Sequence, residues 1–162
     1  MKFPDAPLRD QLAGWRHQLH AMPETGFEEA KTSAFIANAL RALGLEVHTG
    51  IGGTGLVASL TVGSGTGVIG LRAEMDALAI TELATERPYA SATPGRMHAC
   101  GHDGHMAMVL GAAQLLRERR DFDGTVRFIF QPAEEHGRGA RAMMDDGLFE
   151  RFPVHVVYGL RN

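Results

Sequence analysis

Between Met97 and His105 the chain sets one thiol and three imidazoles, Cys100, His98, His102 and His105, within nine residues. Thiolate sulfur and imidazole nitrogen are the preferred ligands of zinc and related borderline cations. Cys100 and His102 are two apart, so in extended backbone their side chains leave on the same side. Gly101 between them lets the backbone turn sharply. A single histidine at a helix start would read as an incidental neighbour of the cap. This density, beside polar turns rather than on a core stripe, points to a metal or catalytic site. A Cys100 nucleophile served by a histidine base is the alternative chemistry.

A second segment, Phe128-Ile129-Phe130-Gln131-Pro132-Ala133-Glu134-Glu135, ends an apolar strand abruptly in two carboxylates. Adjacent glutamates usually form a solvated acidic patch. At the end of a buried strand in an α/β sheet they stand where such folds place their sites. One carboxylate can then bind a cation while its neighbour accepts and donates a proton, the division of labour that metal-assisted hydrolysis requires. A third segment, Leu71-Arg72-Ala73-Glu74-Met75-Asp76, carries acids just beyond another strand. Glu74 and Asp76 share a side if the extension continues. An exposed strand end and a carboxylate orienting a ligand histidine are both open readings there. Asp76 and Asp103, the latter beside His102, are the candidates for that orienting role.

Gly50-Ile51-Gly52-Gly53-Thr54-Gly55 satisfies the dinucleotide-binding G-x-G-x-x-G pattern. The following Leu56-Val57-Ala58-Ser59-Leu60-Thr61-Val62 reads as a strand, not the phosphate-capping helix that the pattern needs. A loop between strands is the expectation.

The elements that must position these groups alternate in kind. Leu8, Leu12, Trp15 and Leu19 fall on one helical face. A second helix is expected over Glu28–Leu43, burying Phe35, Ile36, Ala39, Leu40 and Leu43. Its acidic start and Gly44 beyond its end are the usual terminal signals. Short β-type runs follow at 45–48, 56–62 and 68–73, and the Gly63–Gly67 turn between the last two predicts an antiparallel hairpin. Residues 74–101 read as irregular. A helix over His105–Arg119, a strand over Thr125–Gln131, a short helix over Gly139–Asp146 and a strand over Val154–Leu160 complete an α/β domain with a mixed sheet.

The 162 residues suffice for one domain with a real core. A formal charge of −3 without a basic cluster disfavours nucleic acid as a partner. No apolar run approaches the ~20 residues that span a bilayer, and Met1-Lys2-Phe3-Pro4-Asp5 lacks the apolar core of a signal peptide. The single cysteine forms no internal disulfide framework and fits a cytoplasmic setting.

In their order, these segments resemble the M20 peptidase family, in the branch of hippurate hydrolases, aminoacylases and auxin-conjugate hydrolases. The resemblance begins at Arg16-His17-Gln18-Leu19-His20-Ala21-Met22-Pro23-Glu24 and continues through Gly52-Gly53-Thr54-Gly55. It is most specific in His98–His105 and Gln131–Glu135, and extends to Asp146–Pro153. It implies a zinc-peptidase-like catalytic domain and hydrolysis of the amide bond of small N-acyl amino acids. Cys100, His102 and Glu135 would be metal ligands, and Glu134 the general base and acid. Two divalent metals per site (zinc, manganese, cobalt or nickel) are implied, with homo-oligomers among full-length relatives. Two departures stand out. The branch normally ends its last strand here in Gly-Leu-His-Asn, with the histidine a ligand, whereas this chain reads Gly159-Leu160-Arg161-Asn162. Arginine has no free lone pair and stays charged, so it cannot ligate. The family is also much longer, with an inserted dimerisation domain and a returning C-terminal part of the catalytic domain. The resemblance therefore implies that residues 1–162 are the N-terminal part of an incomplete catalytic domain, with impaired hydrolysis. The alternative is a non-catalytic remnant that binds metal weakly.

Overall fold

Val126, Phe128 and Phe130 point to one side of a single strand and Ile129 to the other, and all four are buried. A strand apolar on both faces belongs at the centre of a sheet covered on both sides, and that is where this one lies. The computed structural model describes residues 6–160. Its elements are α1 (Ala6–Ala21), α2 (Ala30–Ala42), β1 (Glu46–Ile51), β2 (Gly55–Val62), β3 (Val68–Glu74), α3 (His102–Arg119), β4 (Gly124–Gln131), α4 (Gly139–Asp145), α5 (Leu148–Arg151) and β5 (Val156–Gly159). The five strands form one mixed sheet in the order β1-β2-β4-β3-β5.

Period-two alternation divides the core into two layers. Leu56, Ala58 and Leu60 of β2 join Val126, Phe128 and Phe130 of β4 in the larger cluster, with Leu19 of α1, Ile36 and Leu40 of α2, and Met106 and Leu110 of α3. Val57 and Ile129 face the opposite way, against Met143 of α4, Leu148 of α5 and Phe152. Each large side chain fully removed from water contributes about 1.5–3 kcal/mol, so the β2–β4 pair anchors both layers. Of the residues expected inside α2, Ile36 and Leu40 are fully buried, while Phe35, Ala39 and Leu43 pack against the cluster from its margin.

The expected hairpin between β2 and β3 does not form. β4 lies between them, antiparallel to β2 and parallel to β3. The turn at 63–67 is instead fastened to the start of β4: the Asp123 carboxylate accepts from Gly65 N–H at 2.6 Å, and Thr125 N–H donates to the Gly67 carbonyl at 2.9 Å. The more apolar β4 takes the central place that a hairpin would have denied it. The hairpin that does form joins β1 and β2 through the glycine-rich loop, the loop whose dinucleotide reading is rejected above. α3 begins at His102, one turn earlier than expected, and the four-residue α5 was not anticipated. Among the described residues, no helix is long and apolar enough to cross a membrane. Arg161 lies outside the described residues.

Candidate metal centre

The ends of β3 and β4 and the start of α3 meet at one point. Glu74 pairs in register with Gln131, and Met75 N–H extends the ladder to the Gln131 carbonyl at 2.9 Å. Both strands therefore release their chains at the same end of the sheet, β3 into Met75–Ala77 and β4 into Pro132–Glu135. Gly101, at a φ of 82°, turns the third segment into α3. A residue with a β-carbon would resist this left-handed conformation. It separates Cys100 from His102 and lets both side chains face the two strand ends.

Cys100 Sγ, a ring nitrogen of His102 and a carboxylate oxygen of Glu135 all lie within 4.8 Å of one another. The His102 ring is oriented from behind. Its Nδ1 lies 2.7 Å from the Asp76 carbonyl oxygen, which can only accept, so Nδ1 carries the proton. In the neutral ring Nε2 is left with its lone pair, buried and without a hydrogen-bond partner, 3.8 Å from both Glu134 and Glu135. Burial on its own would depress the pKa of His102. The Asp76 side chain and carbonyl and the charge of Glu74 outweigh it and hold the ring above the ordinary imidazole value. Asp76 is itself pushed up by burial and more strongly held down by hydrogen bonds from His102 and from the Glu135 and Glu134 backbone. Glu134 and Glu135 keep 18% and 23% of their side chains exposed, so both carboxylates look out from the centre toward solvent.

The loop carrying these glutamates is tied on both sides to buried carboxylates. Glu135 N–H donates to Asp76 Oδ2 at 2.9 Å, and Ala133 N–H to Glu29 Oε1 at 2.8 Å. Behind them, Arg72 bridges the two strands: Nε and Nη2 donate to Gln131 Oε1 at 3.0 and 2.6 Å, and Nη1 to Glu74. His105 Nδ1 reaches the other oxygen of Glu74 at 3.0 Å. Glu74, His102 and His105 also lie close enough to share a cation. The Arg72 guanidinium on Glu74 makes that grouping an ion-pair network, because it already supplies the positive charge. Asp103 turns from the centre toward α1, accepting from Arg16 Nε at 3.1 Å and facing His20 Nδ1 at 2.9 Å. His20 Nε2 lies 3.3 Å from Glu82, whose other oxygen accepts from Ser91 N–H at 2.6 Å.

The structure thus brings Cys100, His102, Glu134, Glu135 and Asp76 together and sets Asp103 in a separate network. Glu29 was missed: at a helix start it reads as complementing the helix dipole, yet it makes no capping hydrogen bond. His20 gave no sign either, because its carboxylate partners lie 83 and 62 residues away in sequence. The donor chemistry fits a divalent metal. One soft thiol, one imidazole with an orphaned nitrogen and one carboxylate with a buried orphaned oxygen converge on a point, and a cation there satisfies atoms that are costly to leave unpaired.

Residues 70–162 match the family model for peptidase family M20/M25/M40. The chain is 48% identical over 155 residues to a hippurate hydrolase of Campylobacter jejuni, covering 96% of this chain and 40% of that protein. It is 45% identical over 156 residues to an N-acetyl-L-cysteine deacetylase of Bacillus subtilis, covering 96% and 37% respectively. The crystal structure of the Bacillus subtilis YXEP protein, described as a dinuclear metal binding peptidase from the M20 family, superposes with a TM-score of 0.91 at 39% identity, over 98% of this chain and 44% of that one. The chain thus spans less than half the length of each of these relatives.

Proposed function

Because the chain belongs to peptidase family M20/M25/M40, we propose that its metal centre serves hydrolysis of the amide bond of small N-acyl amino acids. The observation that carries this reading is the convergence of Cys100, His102 and Glu135 beside a second carboxylate, Glu134. Two relatives, a hippurate hydrolase and an N-acetyl-L-cysteine deacetylase, both cleave an acyl group from an amino acid, and that common chemistry supports the substrate class.

Cys100, His102 and Glu135 would hold the cation, with Asp76 fixing the His102 tautomer through its carbonyl. Bound there, a divalent cation supplies Lewis acidity, acidifying water and polarising a carbonyl oxygen. Glu134 has the position and exposure to take the proton of an attacking water and return it to the departing amine. The Asp76 carboxylate, by accepting from Glu135 N–H, ties the loop that carries both glutamates to the end of β3. Arg161, where the resemblance expects a histidine, offers no lone pair, and among the described residues the donors for this cation are Cys100, His102 and Glu135.

Calorimetric titration of the chain with zinc, manganese, cobalt and nickel, combined with release of free amino acid from acylated substrates, tests the reading. Cys100→Ala and Glu135→Ala are expected to abolish stoichiometric binding. Glu134→Gln is expected to retain binding and to lower hydrolysis by about 10²–10⁴-fold, and Arg161→His to raise affinity if that position faces the centre. Binding that survives both ligand substitutions would overturn the reading.

A further inference from the structure

Glu29 is a fully buried carboxylate at a helix start, and it does not serve the helix. One oxygen accepts from Ala133 N–H at 2.8 Å and the other from the Thr54 hydroxyl at 2.5 Å. Three segments distant in sequence are joined at this side chain: the beginning of α2, the β1–β2 loop and the exit of β4. Burying an ionisable group so completely is costly unless its charged form is well hydrogen-bonded. What it holds has to be worth that cost.

Ala133 has a φ of 46°, in the left-handed region that residues with a β-carbon avoid. Such a conformation persists where the surroundings over-determine it, and its consequence here is directional. In extended backbone, consecutive side chains leave on opposite faces, so Glu134 and Glu135 would diverge if β4 simply continued. Instead both carboxylates lie 3.8 Å from the same His102 nitrogen. The chain makes this possible by leaving β4 through the left-handed residue. It then closes on itself, with Gly137 N–H on the Glu134 carbonyl at 2.7 Å and Gly139 N–H on the Ala133 carbonyl at 3.1 Å. The Glu29 carboxylate grips the strained residue just before the paired glutamates, and Asp76 grips Glu135 just after.

We propose that Glu29 is a positioning residue of the metal centre: through Ala133 it forces Glu134 and Glu135 to converge on one point. The inference rests on the reading of that centre given above and adds a residue, 71 positions before the first ligand in sequence, on which its geometry depends.

The test compares Glu29→Gln with Glu29→Met in the isotopically labelled chain, following cobalt and zinc affinity by titration and the backbone amide signals of residues 133–135 by NMR. Glutamine can still accept from Ala133 N–H with its carbonyl and donate to the Thr54 oxygen with its amide, so affinity is expected to stay within about threefold of the parent. Methionine keeps the length and removes the acceptor. It is expected to lower affinity by about 10–100-fold, to shift the Ala133 amide proton upfield and to alter the cobalt absorption bands. Adding Ala133→Gly to Glu29→Met removes the cost of the left-handed conformation and should recover part of the loss. A general packing defect would not be rescued in this way. Equal affinity in the glutamine and methionine variants, or amide signals at 134 and 135 that do not move in Glu29→Met, would overturn the proposal. Should Glu29→Met fail to fold, Thr54→Val carries the test: releasing the second oxygen must shift the Ala133 amide signal, and an unshifted signal counts against the role. If the parent chain binds no metal, the functional reading falls, while the amide signals still decide whether Glu29 sets the loop.

Discussion

His98 sits two residues before Cys100 with both ring nitrogens buried and lacking a hydrogen-bond partner. Burial drives its pKa down to about 4, with the nearby charge of Asp103 opposing and those of His102 and His20 adding to it. The ring is therefore neutral in the folded chain at ordinary pH. A histidine with a depressed folded pKa contributes stability above its unfolded value of about 6.5 and loses it as pH falls toward the folded value. The drop from 6.5 to about 4 corresponds to on the order of 3 kcal/mol. Urea unfolding of the metal-free chain is expected to show stability falling by that order between pH 6.5 and 4, and His98→Asn should flatten this limb. His102 has the opposite sign, because its folded pKa is raised: its contribution is present below about pH 6.5 and is lost as pH rises through the folded value. Glu74 and Asp76, both lowered, lose their contributions only at more acid pH, below about 4. An acid limb that begins below pH 4.5 and ignores His98→Asn would refute the assignment. At this scale the sequence revealed donors packed densely along the chain, Cys100, His102 and the glutamate pair. Glu29 and His20 were hidden because the groups they hold at Ala133, Asp103 and Glu82 are more than 60 residues distant, and a carboxylate or imidazole alone does not announce which end of the chain it will meet.

Strands and helices were legible where the apolar period was unbroken. Leu8, Leu12, Trp15 and Leu19 located α1, and the apolar runs of β2 and β4 located the sheet. Pairing was less legible, because a glycine-rich turn such as 63–67 permits a hairpin without enforcing it. The choice was made by the two-sided apolar β4, a property of the whole sheet rather than of the turn. The loop from Pro132 to Gly139 is the element on which the site depends most closely. A β-carbon at Gly139 would fall on the Pro132 carbonyl oxygen, and backbone cannot yield there as a flexible side chain could. Gly139→Ala is therefore expected to cost about 1–3 kcal/mol by overpacking and to weaken metal binding together with folding. Gly104, in the first turn of α3, has open space around its β-carbon position and an unstrained backbone. Gly104→Ala should instead raise stability by about 0.5–1 kcal/mol, since alanine is the better helix former. Chemical denaturation of both variants checks the pair. A harmless Gly139→Ala would mean that the loop is looser than its hydrogen bonds imply.

The sheet has two edges of different character. β1 is irregular, with a register shift between Thr49 and Ile51, and His48 Nε2 lies 3.2 Å from the Glu46 carboxylate. Its polar residues and broken register discourage addition of a further strand. At the other edge, every residue of β5 is exposed, including Val156, Val157 and Tyr158 at 38%, 40% and 57%, and Leu160 beyond it is 64% exposed. Beside β5, an apolar groove of about 320 Å³ is lined by Leu71, Met108, Val109, Tyr158 and Leu160, with His105 at its inner side. An apolar strand with a free ladder, next to an apolar groove, is the combination that favours pairing with another chain. The 162-residue chain is therefore expected to associate as its concentration rises and to bind an apolar reporter dye. Val157→Lys and Tyr158→Lys should each reduce both effects, because a charge on this edge must be desolvated before strands can pair. Thr49→Lys, on the already polar β1 edge, should leave association unchanged. Sedimentation velocity over a range of concentrations, run on the parent and the three variants, measures the difference. A parent chain that remains monomeric and dye-free at high concentration would show that β5 is better shielded than its exposure indicates. Equal suppression by Thr49→Lys would assign the effect to net charge rather than to the strand edge.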